Sequence, residues 1–241
     1  MNALSTTLVA RLLASLALCV MGLCACTTTT TERTQVVPWL KDNANAGTIT
    51  QITRPWGFEY KYQDVSGHIL RVENRDQGRQ LLSITEFQYD GAGRVIEERH
   101  FDSAENMRLT PDGFAIRRFV YSSDEDRNAV TEIAYFDTNG KPVAMQSGFA
   151  VLRQTFQANG RVRKLDFLDA SREPTPSTWL GVANIVEVQY SYLAGVTEVT
   201  YAAFLDASGR VVERKQLSGL TSAYSSYANT TYYYPTYYYR H

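Results

Sequence analysis

Residues 135–156 read YFDTNGKPVAMQSGFAVLRQTF, and this stretch decides the fold because its layout returns along the chain. Residues 100–121, HFDSAENMRLTPDGFAIRRFVY, precede it. Residues 167–190, FLDASREPTPSTWLGVANIVEVQY, and 204–219, FLDASGRVVERKQLSG, follow it. Asp102, Asp137, Asp169 and Asp206 recur about every 35 residues, and Gly113, Gly148 and Gly181 keep step, which marks a repeat array. A first, degenerate copy lies between Phe58 and Tyr89.

Within each copy the pattern is that of strands. Phe58, Tyr60 and Tyr62 alternate with Glu59, Lys61 and Gln63, and Val186, Val188, Tyr190 and Tyr192 alternate with Glu187, Gln189 and Ser191. A period of two in β-branched and aromatic residues suits a pleated, half-buried surface. Paired runs are separated by Asp-x-x-Gly and then a basic residue or His: Asp64 to Gly67, Asp90 to Gly93, Asp137 to Gly140 and Asp206 to Gly209. Asn159-Gly160 plays the same part. Asp accepts backbone hydrogen bonds at the head of a type I turn, and Gly supplies the left-handed conformation that closes a hairpin with a bulge. Three longer loops run Asp102 to Gly113, Asp137 to Gly148 and Asp169 to Gly181.

The expected fold is therefore all-β: an antiparallel meander of repeated β-hairpins forming an extended, twisted single sheet. About ten strands at about 4.8 Å each make it some 45 Å long, with all the long loops on one edge. The strand Arg94-Val95-Ile96-Glu97-Glu98-Arg99 carries charge in both alternating positions, which predicts water on both faces there.

The N-terminus carries an apolar run, Leu12 to Leu23, too short to span about 30 Å of hydrocarbon but long enough for a signal-peptide core. It closes on Leu23-Cys24-Ala25-Cys26, which resembles the lipobox of a bacterial lipoprotein. The resemblance implies lipidation of Cys26, anchorage of the mature chain to a membrane through that residue, and, with Thr27 following it in a Gram-negative cell, sorting to the outer membrane. Each acyl CH₂ buried contributes about 0.8 kcal/mol, so a three-chain anchor is effectively permanent. The expected organisation is a signal peptide over 1–25, a flexible tether over 26–53, the hairpin-repeat domain over 54–219, and a Tyr-rich tail over 220–241.

A second resemblance rests on Tyr135-Phe136-Asp137, Gly140-Lys141-Pro142, Gly148, Ala150 and Gly160-Arg161, which look like bacterial YD-like or MORN-type hairpin repeats. It covers Phe58 to Gly219 and implies a surface or envelope protein built for contact with other molecules. Copies depart from the pattern at Ser171-Arg172-Glu173, where the Gly is lost, and at Ser122-Ser123-Asp124, where the turn is altered.

Composition narrows the chemistry. The chain has three cysteines, Cys19, Cys24 and Cys26, all in the signal region, so the folded part holds no disulfide framework and no thiolate site. With 24 Lys and Arg against 25 Asp and Glu and no basic block, it lacks the footprint of a nucleic-acid binder. Asp124, Asp126 and Asn128 have the one, three, five spacing of a calcium loop, but Ala129 stands where Gly belongs and Tyr135 where a bidentate Glu belongs, which makes an ordinary turn. His68, His100 and His241 lack a paired His or carboxylate at metal-ligand spacing. No nucleophile elbow, phosphate loop or zinc-hydrolase helix is present, so neither cofactor nor catalytic residue is assigned.

The expected function is that of a lipid-anchored binding or scaffolding module of the cell envelope, taking an envelope protein or a glycan. The alternatives are a structural subunit of a secretion or envelope-assembly complex, whose sheet edge pairs by strand addition, and an enzyme whose constellation only the fold would assemble. The expected contact surface is the loop edge, marked by Met107, Met145 and Trp179, together with the tail tyrosines Tyr232, Tyr233, Tyr234, Tyr237, Tyr238 and Tyr239. Half of the sixteen tyrosines lie in that tail, and tyrosine offers a flat apolar face with a hydroxyl at low rotamer cost.

Overall fold

The structure, a computed structural model, describes residues 30–34, 47–123, 129–192 and 201–217. Cys26, most of the tether, the Asp124–Asn128 turn and the tyrosine tail lie outside the described residues. All the regular elements described are strands: β1 (Thr30–Thr34), β2 (Thr48–Arg54), β3 (Gly57–Gln63), β4 (Ile69–Asp76), β5 (Leu81–Tyr89), β6 (Val95–Phe101), β7 (Ile116–Tyr121), β8 (Val130–Phe136), β9 (Val151–Phe156), β10 (Val162–Leu168), β11 (Ser177–Trp179), β12 (Val182–Ile185), β13 (Glu187–Ser191), β14 (Tyr201–Leu205) and β15 (Val211–Gln216).

Thirteen of them form one sheet in the order β1 to β10, then β13, β14 and β15, every neighbour antiparallel. Strands β11 and β12 pair as a separate hairpin inserted in the third long loop. At about 4.8 Å per strand the sheet extends about 58 Å. It is longer than the ten-strand estimate partly because Thr48–Arg54 and Thr30–Thr34, upstream of the repeats, join it as paired strands.

Directly opposed residues share a face. One face carries Phe119, Ile133, Leu152, Phe167 and, on the next strands, Leu165, Val188 and Phe204, linked pair by pair through the register. These belong to the main core, with Phe149, Phe167, Phe204, Ile133, Ile185 and Val188 almost wholly buried. The opposite face carries polar and charged residues in register: Tyr62, Arg71, Glu86 and Arg99 across four strands, then Glu132, Arg153, Asp166 and Glu187 across four more.

The charged strand β6 departs from expectation. Glu97 and Glu98 are only 7% and 3% exposed rather than wetted on both faces. Each is closed in by basic side chains: Glu97 by the cations Arg99 and Arg118, and Glu98 by the Arg117 cation and the His100 ring. Alternation of charge records which partners a strand needs, and here β6 itself supplies Arg99 and His100 while the neighbouring strand β7 supplies Arg117 and Arg118.

Candidate functional site

The long loops emerge at the end of the sheet where β6, β8 and β10 finish. Each opens on an aspartate turn. Asp137 Oδ1 accepts from the backbone N–H groups of Asn139 (2.8 Å) and Lys141 (2.9 Å), and Asp102 and Asp169 do the same in their copies. These bonds favour the carboxylate, so Asp102 and Asp137 are held below the ordinary range, chiefly by the N–H groups of Asn106 and Lys141. After the turn the chain doubles back onto the strand it left, through the bridges Phe101 to Met107, Phe136 to Pro142 and Leu168 to Pro174. Asp137 to Gly140 therefore lies inside a long loop and does not join two full strands as the other Asp-x-x-Gly turns do. This corrects its reading as an ordinary hairpin turn.

The closing position of these turns is left-handed. Gly takes it at Gly67, Gly93, Gly140, Gly160 and Gly209, but Arg79 (φ 66°), Glu105 (φ 62°) and Arg172 (φ 69°) take it elsewhere. A side chain there costs roughly 1–2 kcal/mol. In all three the side chain gains a contact that glycine cannot make. Arg79 lies 5.5 Å over the Phe58 ring, Glu105 pairs with Arg71 at 3.1 Å, and Arg172 pairs with buried Glu132 at 2.8 Å. The missing Gly at Ser171-Arg172-Glu173 is thus an ionic clamp of a loop onto the charged face of the sheet.

A second turn in each loop carries the chain back over the apolar face. Met145 N–H donates to Phe149 O and Gly148 N–H to Met145 O, and Thr110, Gly113 and Phe114 repeat the arrangement. Successive loops are bonded to each other: Gln146 N–H donates to Asp112 O at 2.9 Å and Thr178 N–H to Ser147 O at 2.7 Å. Gly148 stands at this crossing with φ 104°, and a Cβ there would come within 2.9 Å of Pro176 O. Under the loops runs a line of rings, His100, Phe114, Tyr135, Phe149 and Phe167, with neighbouring centroids 5.0–5.8 Å apart. Trp179 closes it against Phe149 and Phe167, at 6.1 and 5.5 Å.

The result is a continuous ledge made from three repeats. Met107, Met145 and Trp179 all belong to it, but differently. Met145 and Trp179 are half-buried and pack on the core, so Trp179 holds the ledge up as well as lining it. Leu109, which sequence reasoning passed over, is the more accessible apolar side chain, at 50% exposure.

The opposite end of the sheet carries a latch that also went unread. Tyr89 donates its hydroxyl to Ile69 O (2.8 Å), Tyr121 to Val95 O (2.8 Å) and Tyr192 to Val162 O (2.7 Å). Over each ring lies the residue just after the turn glycine: His68 at 4.7 Å, Arg94 at 4.6 Å and Arg161 at 5.1 Å. In these three turns the residue after the glycine is thus the partner of a tyrosine at the end of the neighbouring strand. The signal was the spacing of Tyr89, Tyr121 and Tyr192 at strand ends. His68 and His100 are not isolated in space either, since Asp64 meets His68 at 3.0 Å and Glu98 meets His100 at 2.9 Å.

Burial would raise the Glu98 carboxyl, but the Arg117 charge and the hydrogen bonds from His100 and Arg117 outweigh it and hold the carboxyl at about 2. It is therefore a fixed anion and no proton donor near neutrality. Among the described residues no group of three His, Cys, Asp or Glu side chains is placed to hold a metal ion. Compared with protein-family models and with curated proteins, the chain matches none.

Proposed function

We propose that this chain is a lipid-anchored protein of the bacterial cell envelope that binds or scaffolds other envelope molecules through its loop ledge. The observation that carries the reading is the backbone bonding of three consecutive long loops into one surface over a packed aromatic line. A surface built from several repeats, rigid before it meets a ligand, loses little entropy on binding. Anchorage at Cys26 supports the same reading. It sets the N-terminal strands nearest the membrane, and β2 to β6 then act as a spacer that carries the ledge outward.

Fractionation and crosslinking test this. Cys26→Ser is expected to move the protein out of the membrane fraction, and its retention there would overturn the lipid anchor. A photoreactive residue at Leu109 is expected to capture an envelope protein or glycan in intact cells. The same residue at Val65, exposed in the turn after β3, serves as the control. Equal capture from both sites, or none from Leu109, would remove the ledge as the working surface.

A structural subunit of an assembly complex is the second reading. It is favoured by β15, the last strand of the sheet among the described residues, which exposes Val211 and Val212.

A further inference from the structure

Each long loop opens on the same backbone frame. Asp102 N–H donates to Asn106 O, Asp137 N–H to Lys141 O and Asp169 N–H to Glu173 O. The third residue after each aspartate donates back to it: Glu105 to Asp102 O, Gly140 to Asp137 O and Arg172 to Asp169 O. That third residue is left-handed in all three, at φ 62°, 74° and 69°. Where it has a side chain, one rule of register says what the side chain meets. Three residues before Asp169 stands Asp166, opposite Arg153, which is opposite Glu132, the partner of Arg172. Three residues before Asp102 stands Arg99, opposite Glu86, which is opposite Arg71, the partner of Glu105. Each of these turns reaches two strands back across the charged face and meets a charge of the opposite sign.

The second loop keeps the frame and lacks the side chain. Three residues before Asp137 stands Ala134, opposite Arg118, which is opposite Glu97. The residue placed to reach Glu97 is Gly140, and a Cβ there would meet nothing within 4 Å. Glu97 is already served from the sheet: Arg99 donates Nε–H to Oε1 at 2.5 Å and Arg118 donates Nε–H to Oε2 at 2.6 Å. Burial would raise this carboxyl, but the hydrogen bonds from Arg118 and Arg99 outweigh it and hold the group below the ordinary range, as a fixed anion. Because they share one carboxylate, the two guanidiniums lie side by side, and Arg118 is further fixed 4.3 Å over the Phe136 ring. Their side chains are 37% and 45% exposed, and among the described residues their terminal nitrogens make no hydrogen bond. Two guanidiniums over one carboxylate leave an excess of one positive charge. The carboxylates next in register, Glu86 opposite Arg99 and Glu132 diagonal to Arg118, are taken up by Arg71 at 3.1 Å and Arg172 at 2.8 Å.

We propose that Arg99 and Arg118 bind the phosphate of a phosphomonoester, in the place that glycine at position 140 leaves open on the charged face. A guanidinium fork takes two oxygens, so a carboxylate occupies one arginine of the pair, whereas the three free oxygens of a phosphomonoester span both. The phosphodiester of a lipid headgroup offers two free oxygens and a single charge, which selects a soluble or glycan-borne monoester over a membrane. Glu97 below keeps the two forks parallel and carries no bond to the ligand. The site lies on the face of the sheet opposite the ledge, so it goes beyond the anchored-scaffold reading and does not depend on it.

Arginine labelling by phenylglyoxal in the full-length chain in detergent, followed by peptide mass spectrometry, tests the proposal. Inorganic phosphate is expected to slow labelling of both Arg99 and Arg118 by about tenfold at saturation, relative to sodium chloride of equal ionic strength. Arg210, 79% exposed in the turn before β15, serves as the control and should not respond. In Gly140→Glu the new carboxylate is placed as Glu105 is, and phosphate should then add no protection. Gly140→Ala takes the same left-handed backbone but leaves the space free, and it should keep the full response. No slowing at Arg99 and Arg118, equal slowing at Arg210, or an undiminished response in Gly140→Glu would overturn the site. Equal protection by mixed micelles of phosphatidylglycerol at the same phosphate concentration would overturn the choice of a monoester.

Discussion

Strands β2 to β6 and strands β7 to β10 with β13 to β15 belong to one meander with one turn chemistry, yet they are held together differently. The first group is short-turned and has few buried apolar side chains: Ile52, Val72, Ile84, Phe87 and Val95. Ion pairs line it instead, across strands at Arg54 to Glu59 and Arg71 to Glu86, onto a loop at Glu105 and within strands elsewhere. Arg71 reaches Glu73, Glu86 and Glu105, Arg75 reaches Glu73, and Arg54 and Lys61 reach Glu59. The second group carries the long loops, and they roof its apolar face. A repeat sheet can therefore be single-layered over one stretch and double-layered over another. The difference is made by a dozen residues per loop, not by the strands.

The largest effect that sharpens this contrast is expected in the roofed half. Phe167→Ala removes a fully buried ring between Phe149 and Trp179 and should cost about 4 kcal/mol. In a repeat array such a loss stays close to its site. Denaturant unfolding followed by tryptophan fluorescence should show the drop, while amide protection in β3 and β4 stays near that of the parent.

Next comes the boundary between the halves, at Glu98. Its carboxyl falls from an ordinary value near 4.5 to about 2 on folding, so it contributes stability above pH 4.5 that disappears as the pH falls toward 2. That contribution is about 3 kcal/mol. Glu98→Gln should lower stability at pH 7 by a similar amount and flatten the stability curve between pH 4.5 and 2, as equilibrium unfolding across that range would show. An unchanged acid limb would mean that the Glu98, Arg117 and His100 cluster does not join the halves.

A smaller effect is expected at a latch. Tyr192→Phe keeps the ring over which Arg161 lies and removes one hydroxyl bond to Val162 O, a loss of about 1 kcal/mol measurable by urea titration. The smallest is Arg172→Gly, where relief of the left-handed backbone opposes loss of the pair with Glu132, which keeps Arg153 at 3.6 Å. The two terms should cancel to within about 1 kcal/mol at low salt, and about 1 M salt should tip the balance toward glycine. If salt leaves the ranking unchanged, the clamp is not ionic.

The contrast was half legible in the sequence. Period-two runs such as Phe58 to Gln63, and the recurring Asp and Gly, carry the all-β meander because turn chemistry and pleating are local. The roofing was not legible, because Met145 and Trp179 read alike as loop residues whether they face water or a core. Only the crossing of successive loops, Gln146 on Asp112 and Thr178 on Ser147, decides between these. Charged β6 misled for a related reason: Glu98 reads as wet until Arg117, nineteen residues on, is brought beside it. The latch was readable in principle, since both partners fall at fixed places in the repeat, but its meaning depends on which strand lies next door.

The central claim is that one sheet is held by charge in its first half and by a roofed core in its second. Residue-resolved amide exchange of the full-length protein at low salt and at about 1 M salt tests it directly. The account predicts that protection across β3, β4 and β5 falls with salt while protection across β8, β9, β10 and β13 holds. An equal response in both halves, or a loss confined to the roofed half, would contradict it.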